Sequence, residues 1–212
     1  MKISEIFYSI QGESTYAGLP CAVIRLAGCN LRCSYCDTAY AWEGGEEKSI
    51  SEILETIVRY PTRLALVTGG EPMLQQSVHG LLRQLLARNY TVLLETGGQI
   101  LLSEVDVRVH KIVDFKCPSS GMMSHNDYRN VDYLTRNDEL KFVIGERQDF
   151  DWACEIIRRY QLSARVGAIL FSPVYGKLAY ADLAQWVLDC GLPVRLQLQL
   201  HKIIWPYVDR GV

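Results

Sequence analysis

The chain has 212 residues, 49% of them hydrophobic and 22% charged, the makeup of a globular domain large enough to bury a core without disulfides; extended disorder and low complexity are excluded. A formal net charge of −2, with Lys and Arg scattered along the chain, excludes a nucleic-acid backbone as direct ligand. No apolar run reaches membrane-spanning length, and residues 1–11, interrupted by Glu5, hold no signal-peptide core, so the expected compartment is the cytoplasm, with no membrane partner.

The stretch Ser9-Ile10-Gln11-Gly12-Glu13-Ser14 is too polar to be core. Beyond it, strands are predicted over residues 22–27, 64–68, 91–95, 111–116, 139–144, 167–171 and 194–200, mostly as near-continuous apolar runs. Amphipathic helices are predicted between them, over 51–59, 73–88, 150–160 and 180–189. This βα alternation predicts an α/β fold with a parallel sheet, and no linker or internal repeat divides residues 1–212 into more than one domain. Polar and glycine-rich groups follow the strands: Gly28-Cys29-Asn30, Thr68-Gly69-Gly70-Glu71-Pro72, Glu95-Thr96-Gly97-Gly98, Lys116-Cys117-Pro118-Ser119-Ser120, Ser172-Pro173 and His201-Lys202. Ligands bind at the carboxyl ends of parallel strands, so these groups should face one shared site.

Seven cysteines is an odd number, and Cys29, Cys33 and Cys36 crowd together as C-x3-C-x2-C. That suits metal ligation in a reducing compartment better than a disulfide framework. A [4Fe–4S] cluster normally takes four cysteines. Among the candidates for a fourth, Cys21 opens the strand that Cys29 follows and lies roughly 26 Å away at about 3.3 Å per residue. Cys154 and Cys190 fall on predicted outer helices, which leaves Cys117, at another strand end, as the one able to approach. Without it, one iron stays open. The alternative is a structural Cys3His zinc site completed by His79, His110, His125 or His201.

The spacing C-x3-C-x2-C with Tyr35 before its last cysteine resembles the signature of the radical S-adenosylmethionine (SAM) superfamily, and Gly69-Gly70-Glu71-Pro72 resembles its second motif. The resemblance implies a shortened, partial (β/α) barrel with a mainly parallel, curved sheet. It also implies a [4Fe–4S] cluster on Cys29, Cys33 and Cys36, with SAM chelating the open iron and cleaved there to a 5′-deoxyadenosyl radical. Tyr35, Cys36, Asp37 and Gly70 are the implied SAM contacts. Glu95-Thr96-Gly97-Gly98 is similar to a further superfamily motif, but Gly97 stands where Asn or Ser is usual. Lys116, Ser119 and Ser120 are therefore candidates for the ribose contact, with a helix-capping turn as the other reading of the two serines.

The loop containing Gln11, Gly12 and Glu13 resembles the substrate-binding loop of the 7-carboxy-7-deazaguanine synthase family. Arg25, Cys36-Asp37-Thr38, Asp114-Phe115-Lys116, Pro118-Ser119-Ser120-Gly121 and Gln197-Leu198-Gln199-Leu200-His201-Lys202 are similar to it too. The resemblance implies a lyase that converts a pterin, 6-carboxy-5,6,7,8-tetrahydropterin, to 7-carboxy-7-deazaguanine with loss of ammonia, in the queuosine pathway. It implies Mg²⁺ at Thr38, a homodimer, a flavodoxin- or ferredoxin-type electron donor, and Thr68 and His201 in the substrate pocket. Arg25 interrupts an apolar strand and needs an anion. A substrate carboxylate held in the guanidinium fork would serve, as would Glu13 or Glu71. Two other functions share parts of this pattern: activation of a glycyl-radical enzyme, which would not need Gln11, Glu13 or Arg25, and a non-catalytic iron–sulfur or zinc module.

Overall fold

The computed structural model describes residues 1–212. Nine strands form one open sheet in the order β3-β1-β2-β4-β5-β6-β7-β8-β9. They are β1 (Lys2–Ile10), β2 (Pro20–Leu26), β3 (Glu46–Glu47), β4 (Leu64–Gly69), β5 (Thr91–Thr96), β6 (His110–Phe115), β7 (Glu139–Ile144), β8 (Ala168–Pro173) and β9 (Arg195–Leu196). From β2 to β9 every pairing is parallel, whereas β1 pairs antiparallel with β2 and β3. The two end strands do not meet, so the barrel is partial.

The helices cover one face of the sheet: α1 (Ile50–Ile57), α2 (Val78–Ala87), α3 (Arg147–Arg159), α4 (Leu162–Arg165) and α5 (Tyr180–Asp189), followed by α6 (Leu200–Ile204). Ser49 opens α1 with a reciprocal capping box to Glu52, which satisfies two of the backbone donors a helix start leaves free. Ile53, Ile57, Leu81, Leu85, Phe150 and Ile157 pack against the outward residues of the sheet, such as Ile24, Val67, Leu94, Phe142 and Phe171, in one large core. Each such buried side chain contributes about 2 kcal/mol.

The other face is concave and two-layered. Its lower layer is apolar, built from Cys21, Val23, Leu64, Leu66, Leu93 and Ile112 and capped by Phe7 and Tyr16. Two residues further along each strand, on the same face, come Arg25, Thr68, Glu95, Asp114 and Lys141. Arg25 is level with Thr68, and Asp114 with Lys141. Parallel register thus lifts one ring of polar side chains to the carboxyl end of the half-barrel. Residues 11–19 run from β1 into this hollow, where Thr15 donates from its backbone N to Glu139 on β7 (3.0 Å) and Tyr16 packs edge-on against His110.

Several predicted elements change. Strand β1 was not anticipated, because Lys2, Glu5 and Ser9 dilute its apolar residues in a half-exposed strand. The predicted strand 194–200 shrinks to Arg195–Leu196, both exposed, and Leu200 already begins α6. An edge strand with one neighbour has little to hold a longer ladder. The helix predicted over 73–88 divides into a 3₁₀ turn at Pro72–Leu74 and α2.

At the lower rim, Asp138 is fully buried and accepts from Lys111 Nζ (3.0 Å), the Lys111 backbone N (2.8 Å) and the Thr135 backbone N (2.7 Å). Removing one partner of such a pair strands a buried charge, at a cost of about 3–5 kcal/mol. Asp138→Ala should therefore lower the melting temperature by roughly 6–20 °C, measured by circular dichroism. A Lys111→Met/Asp138→Asn double variant, which removes both charges and keeps an acceptor for the backbone N–H groups, should recover part of that loss.

Candidate active site

Above the polar ring lies a cavity of about 460 Å³ at the carboxyl ends of the strands. The cysteine loop forms one wall and is mounted on the turn after β4. Gly70 N donates to Leu26 O, and Glu71 N to Gly28 O (3.0 and 2.8 Å). A Cβ on Gly70 would collide with the Gly28 carbonyl and with the Cys29 side chain, 2.8 Å away. Glycine is required there for close backbone approach.

Glu71 is fully buried and joins the two strand-end motifs. Its carboxylate accepts from Met73 N (3.0 Å), Thr96 Oγ1 (2.7 Å) and Gly97 N (2.9 Å). Burial raises its pKa, and those hydrogen bonds only partly offset the shift.

Cys33 and Cys36 line the cavity, with Cys29 against Gly70 behind them, and all three are free, half-buried thiols. Cys117 does not join them. It is fully buried in the large core, where burial pushes its thiol well above the ordinary range. Cys154 lies buried on α3 and Cys190 just beyond α5. No three His, Cys, Asp or Glu side chains converge as ligands to a single metal ion, and His110 is engaged with Glu139 in the lower layer (2.9 Å). Three thiols on one loop, with no fourth cysteine and no histidine beside them, fit a polynuclear cluster bound through three sulfurs better than a tetrahedral zinc.

All the other predicted site residues line the cavity except Ser119 and Ser120. Those two hydroxyls are used locally. Ser119 Oγ donates to Asp149 (2.5 Å) and Ser120 Oγ to the Cys117 carbonyl (2.6 Å), while their own carbonyls accept from Ser34. The turn braces the cysteine loop, neither hydroxyl caps a helix, and Lys116 alone of the three lines the cavity. Tyr35 reaches over to donate to the Val143 carbonyl (3.2 Å). Thr38 donates to the neighbouring Asp37 carboxylate (2.8 Å).

Arg25 does have an anionic partner, but it is neither Glu13 nor Glu71. Its Nε donates to Glu5 Oε1 (2.8 Å), directly across the β1–β2 ladder, and Tyr40 donates to the same oxygen (2.7 Å). Nη1 and Nη2 of Arg25 have no protein partner.

Glu13 accepts from Lys141 Nζ (2.8 Å) and Gln199 Nε2 (2.9 Å). Burial would raise its pKa, but the charges of Lys141 and His201 and these hydrogen bonds more than offset that and hold the carboxyl below the usual range. Lys141 also contacts Glu95 (2.5 Å) and Asp114 (3.5 Å), and Glu95 accepts from Thr68 (3.3 Å). Gly12 must be glycine, because a Cβ there would run into the His201 ring. Glu5 and Lys141 were not anticipated at the site, whereas Glu95 and Lys202 fell in groups expected to face it and Asp114 and Gln199 in stretches that carry the resemblance, none of the four with a role of its own. A detectable signal existed for three of these six: Glu95, Asp114 and Lys141 interrupt apolar strands just as Arg25 does.

Residues 23–163 match the family model described as the radical SAM superfamily. The 7-carboxy-7-deazaguanine synthase of Chlorobaculum tepidum is 48% identical, over 100% of this chain and 97% of its own length. That of Koribacter versatilis is 43% identical over 100% of both. The crystal structure of QueE from Escherichia coli superimposes with a TM-score of 0.77 at 22% identity, covering 94% of each chain, and so shares the fold.

Cys117→Ala should leave iron and sulfide content at the wild-type level after anaerobic reconstitution, whereas alanine at Cys29, Cys33 or Cys36 should abolish it. Iron loss in Cys117→Ala without loss of fold would restore Cys117 as a ligand.

Proposed function

This chain belongs to the radical SAM superfamily and, within it, to the 7-carboxy-7-deazaguanine synthase family, and on that premise we propose that it converts 6-carboxy-5,6,7,8-tetrahydropterin to 7-carboxy-7-deazaguanine with loss of ammonia, residues 1–212 acting as one radical SAM domain. The observation that carries the substrate reading is the pair of unpartnered Arg25 nitrogens, which face the same cavity as Cys33 and Cys36. With Nε occupied by Glu5, the guanidinium is oriented, and its free edge matches a carboxylate bidentately.

Glu13 and Gln11 present carboxylate and amide groups to the same cavity, suited to the N–H and carbonyl groups of an aminopyrimidinone edge. Each Glu13 oxygen already accepts one hydrogen bond from the protein and retains a lone pair for substrate. Thr68, beside Arg25 on the next strand, and His201 complete the substrate lining. Tyr35, Cys36, Asp37, Gly70 and Lys116 line the portion beside the cysteine loop and are assigned to SAM. When bound, the reduced cluster and SAM supply the radical chemistry that removes hydrogen from the pterin. The chain's own part is to hold the substrate in one orientation next to that source and to exclude water from it.

Mg²⁺ is assigned to the Thr38 hydroxyl, beside the Asp37 carboxylate. These are hard oxygen donors of the kind this ion takes, with substrate and water oxygens supplying the rest. Seven unpaired cysteines support a reducing, cytoplasmic setting. A flavodoxin- or ferredoxin-type donor and a homodimeric state complete the reading. Family membership favours it over a glycyl-radical activase or a zinc module.

Anaerobic incubation with SAM, reductant, Mg²⁺ and the carboxypterin should yield the carboxydeazaguanine by mass spectrometry; absence of that product overturns the proposal. Arg25→Ala should lower kcat/KM for the pterin about 10- to 100-fold, the loss expected for one charge-assisted contact. Its iron content should not change.

A further inference from the structure

We propose that Lys141 is a positioning residue that acts through Glu13: together with Glu139, two residues earlier on β7, it clamps the loop of residues 11–15 in the orientation that recognises substrate. This rests on the assignment of Glu13 to the pterin.

Glu139 and Lys141 project from the same inner face of β7 and grip two loop residues with the same spacing. Lys141 Nζ meets Glu13 Oε2 (2.8 Å), and Glu139 receives both the backbone N–H of Thr15 (3.0 Å) and its hydroxyl. His110 Nε2, 2.9 Å away, steadies Glu139 from β6. Between the gripped residues, Ser14 is buried with φ +69°. A residue with a side chain keeps that left-handed conformation only where its surroundings over-determine it.

Lys141 is 4% exposed; its ammonium donates to Glu13 and Glu95 and lies 3.5 Å from Asp114, which Lys116 also pairs at 3.0 Å. With its donors turned to these carboxylates, its influence on substrate passes through them. Without the ammonium those carboxylates would repel one another. Glu95 and Asp114 are built into strands and cannot retreat; Glu13 sits on a loop and can.

The test is a double-mutant cycle on the anaerobically reconstituted holoenzyme, reading pterin Kd and KM, with hydrogen exchange of the amides of residues 13–16 as a readout independent of turnover. Lys141→Met should weaken pterin binding about 10- to 100-fold and speed exchange in the loop. Lys141→Arg should restore most of the affinity. In a Glu13→Gln background, Lys141→Met should add less than about a twofold further loss, since its effect is already spent. If Lys141→Met fails to fold, Lys141→Met/Glu95→Gln preserves the net charge of the cavity and should show the same loss. An equal loss from Lys141→Met in both backgrounds, or unchanged loop protection, overturns the proposal. Unaltered affinity in Glu13→Gln alone overturns the substrate role of Glu13 and the proposal with it, a failure recognisable because it arises with Lys141 intact.

Discussion

The upper half of this molecule depends on one buried ammonium. Lys141 stands at the level where the inner faces of β5 and β6 turn from apolar to acidic, two residues beyond Glu139 on β7, and it gathers Glu95 and Glu13 onto one cation while sharing Asp114 with Lys116. Those three carboxylates could not stay ionised and packed together in a low-dielectric hollow without it. Burial alone would discharge Lys141, yet the surrounding carboxylates hold its pKa well above the ordinary lysine value. The network is therefore mutually sustaining: each charge is tolerable because the others are present.

The rim above it obeys a different constraint, the close approach of backbones. Gly70 admits the Gly28 carbonyl, and Glu71 ties the end of β4 to Thr96 and Gly97 at the end of β5. Gly28 and Cys29 in turn donate to the carbonyls of Ala41 and Trp42, and Ser34 to those of Ser119 and Ser120. The cysteine motif and the Gly-Gly-Glu-Pro motif are thus one piece of structure. Three cysteines on an isolated loop would not keep their sulfurs in register. Here the loop is hydrogen-bonded at both ends to strand-end turns that are themselves buttressed.

Most of the parallel strands were legible in the sequence because a strand covered on both faces must be apolar almost throughout. For the same reason, the polar residues that break such runs were the informative ones. Arg25 was legible as a charge in need of an anion, but its partner was not: Glu5 lies on β1, a half-exposed strand whose mixed composition concealed it, and cross-strand pairs are visible only once register is known. Cys21 could be excluded as a cluster ligand from strand length alone, whereas the exclusion of Cys117 required knowing which way its side chain turns. Ser119 and Ser120 show the opposite limit. Serines at a strand end serve a ligand or the surrounding protein equally well, and here Asp149 engages one hydroxyl and the Cys117 carbonyl the other.

The site consequently has walls of two kinds. Arg25, Thr68, Glu95, Asp114 and Lys141 belong to strands, and their positions are as rigid as the sheet. Gln11, Gly12 and Glu13 belong to a loop, which under the proposed function lets substrate in and afterwards holds it. An apolar anchor would stabilise such a loop but specify its geometry loosely, because hydrophobic contact has no direction. Ionic hydrogen bonds have direction, and their attraction is largely cancelled by the several kcal/mol per ion needed to desolvate them. Tying Glu13 to Lys141 and Thr15 to Glu139 therefore gives the loop a defined orientation at little net stabilisation. A segment held in this way can release and return to the same place.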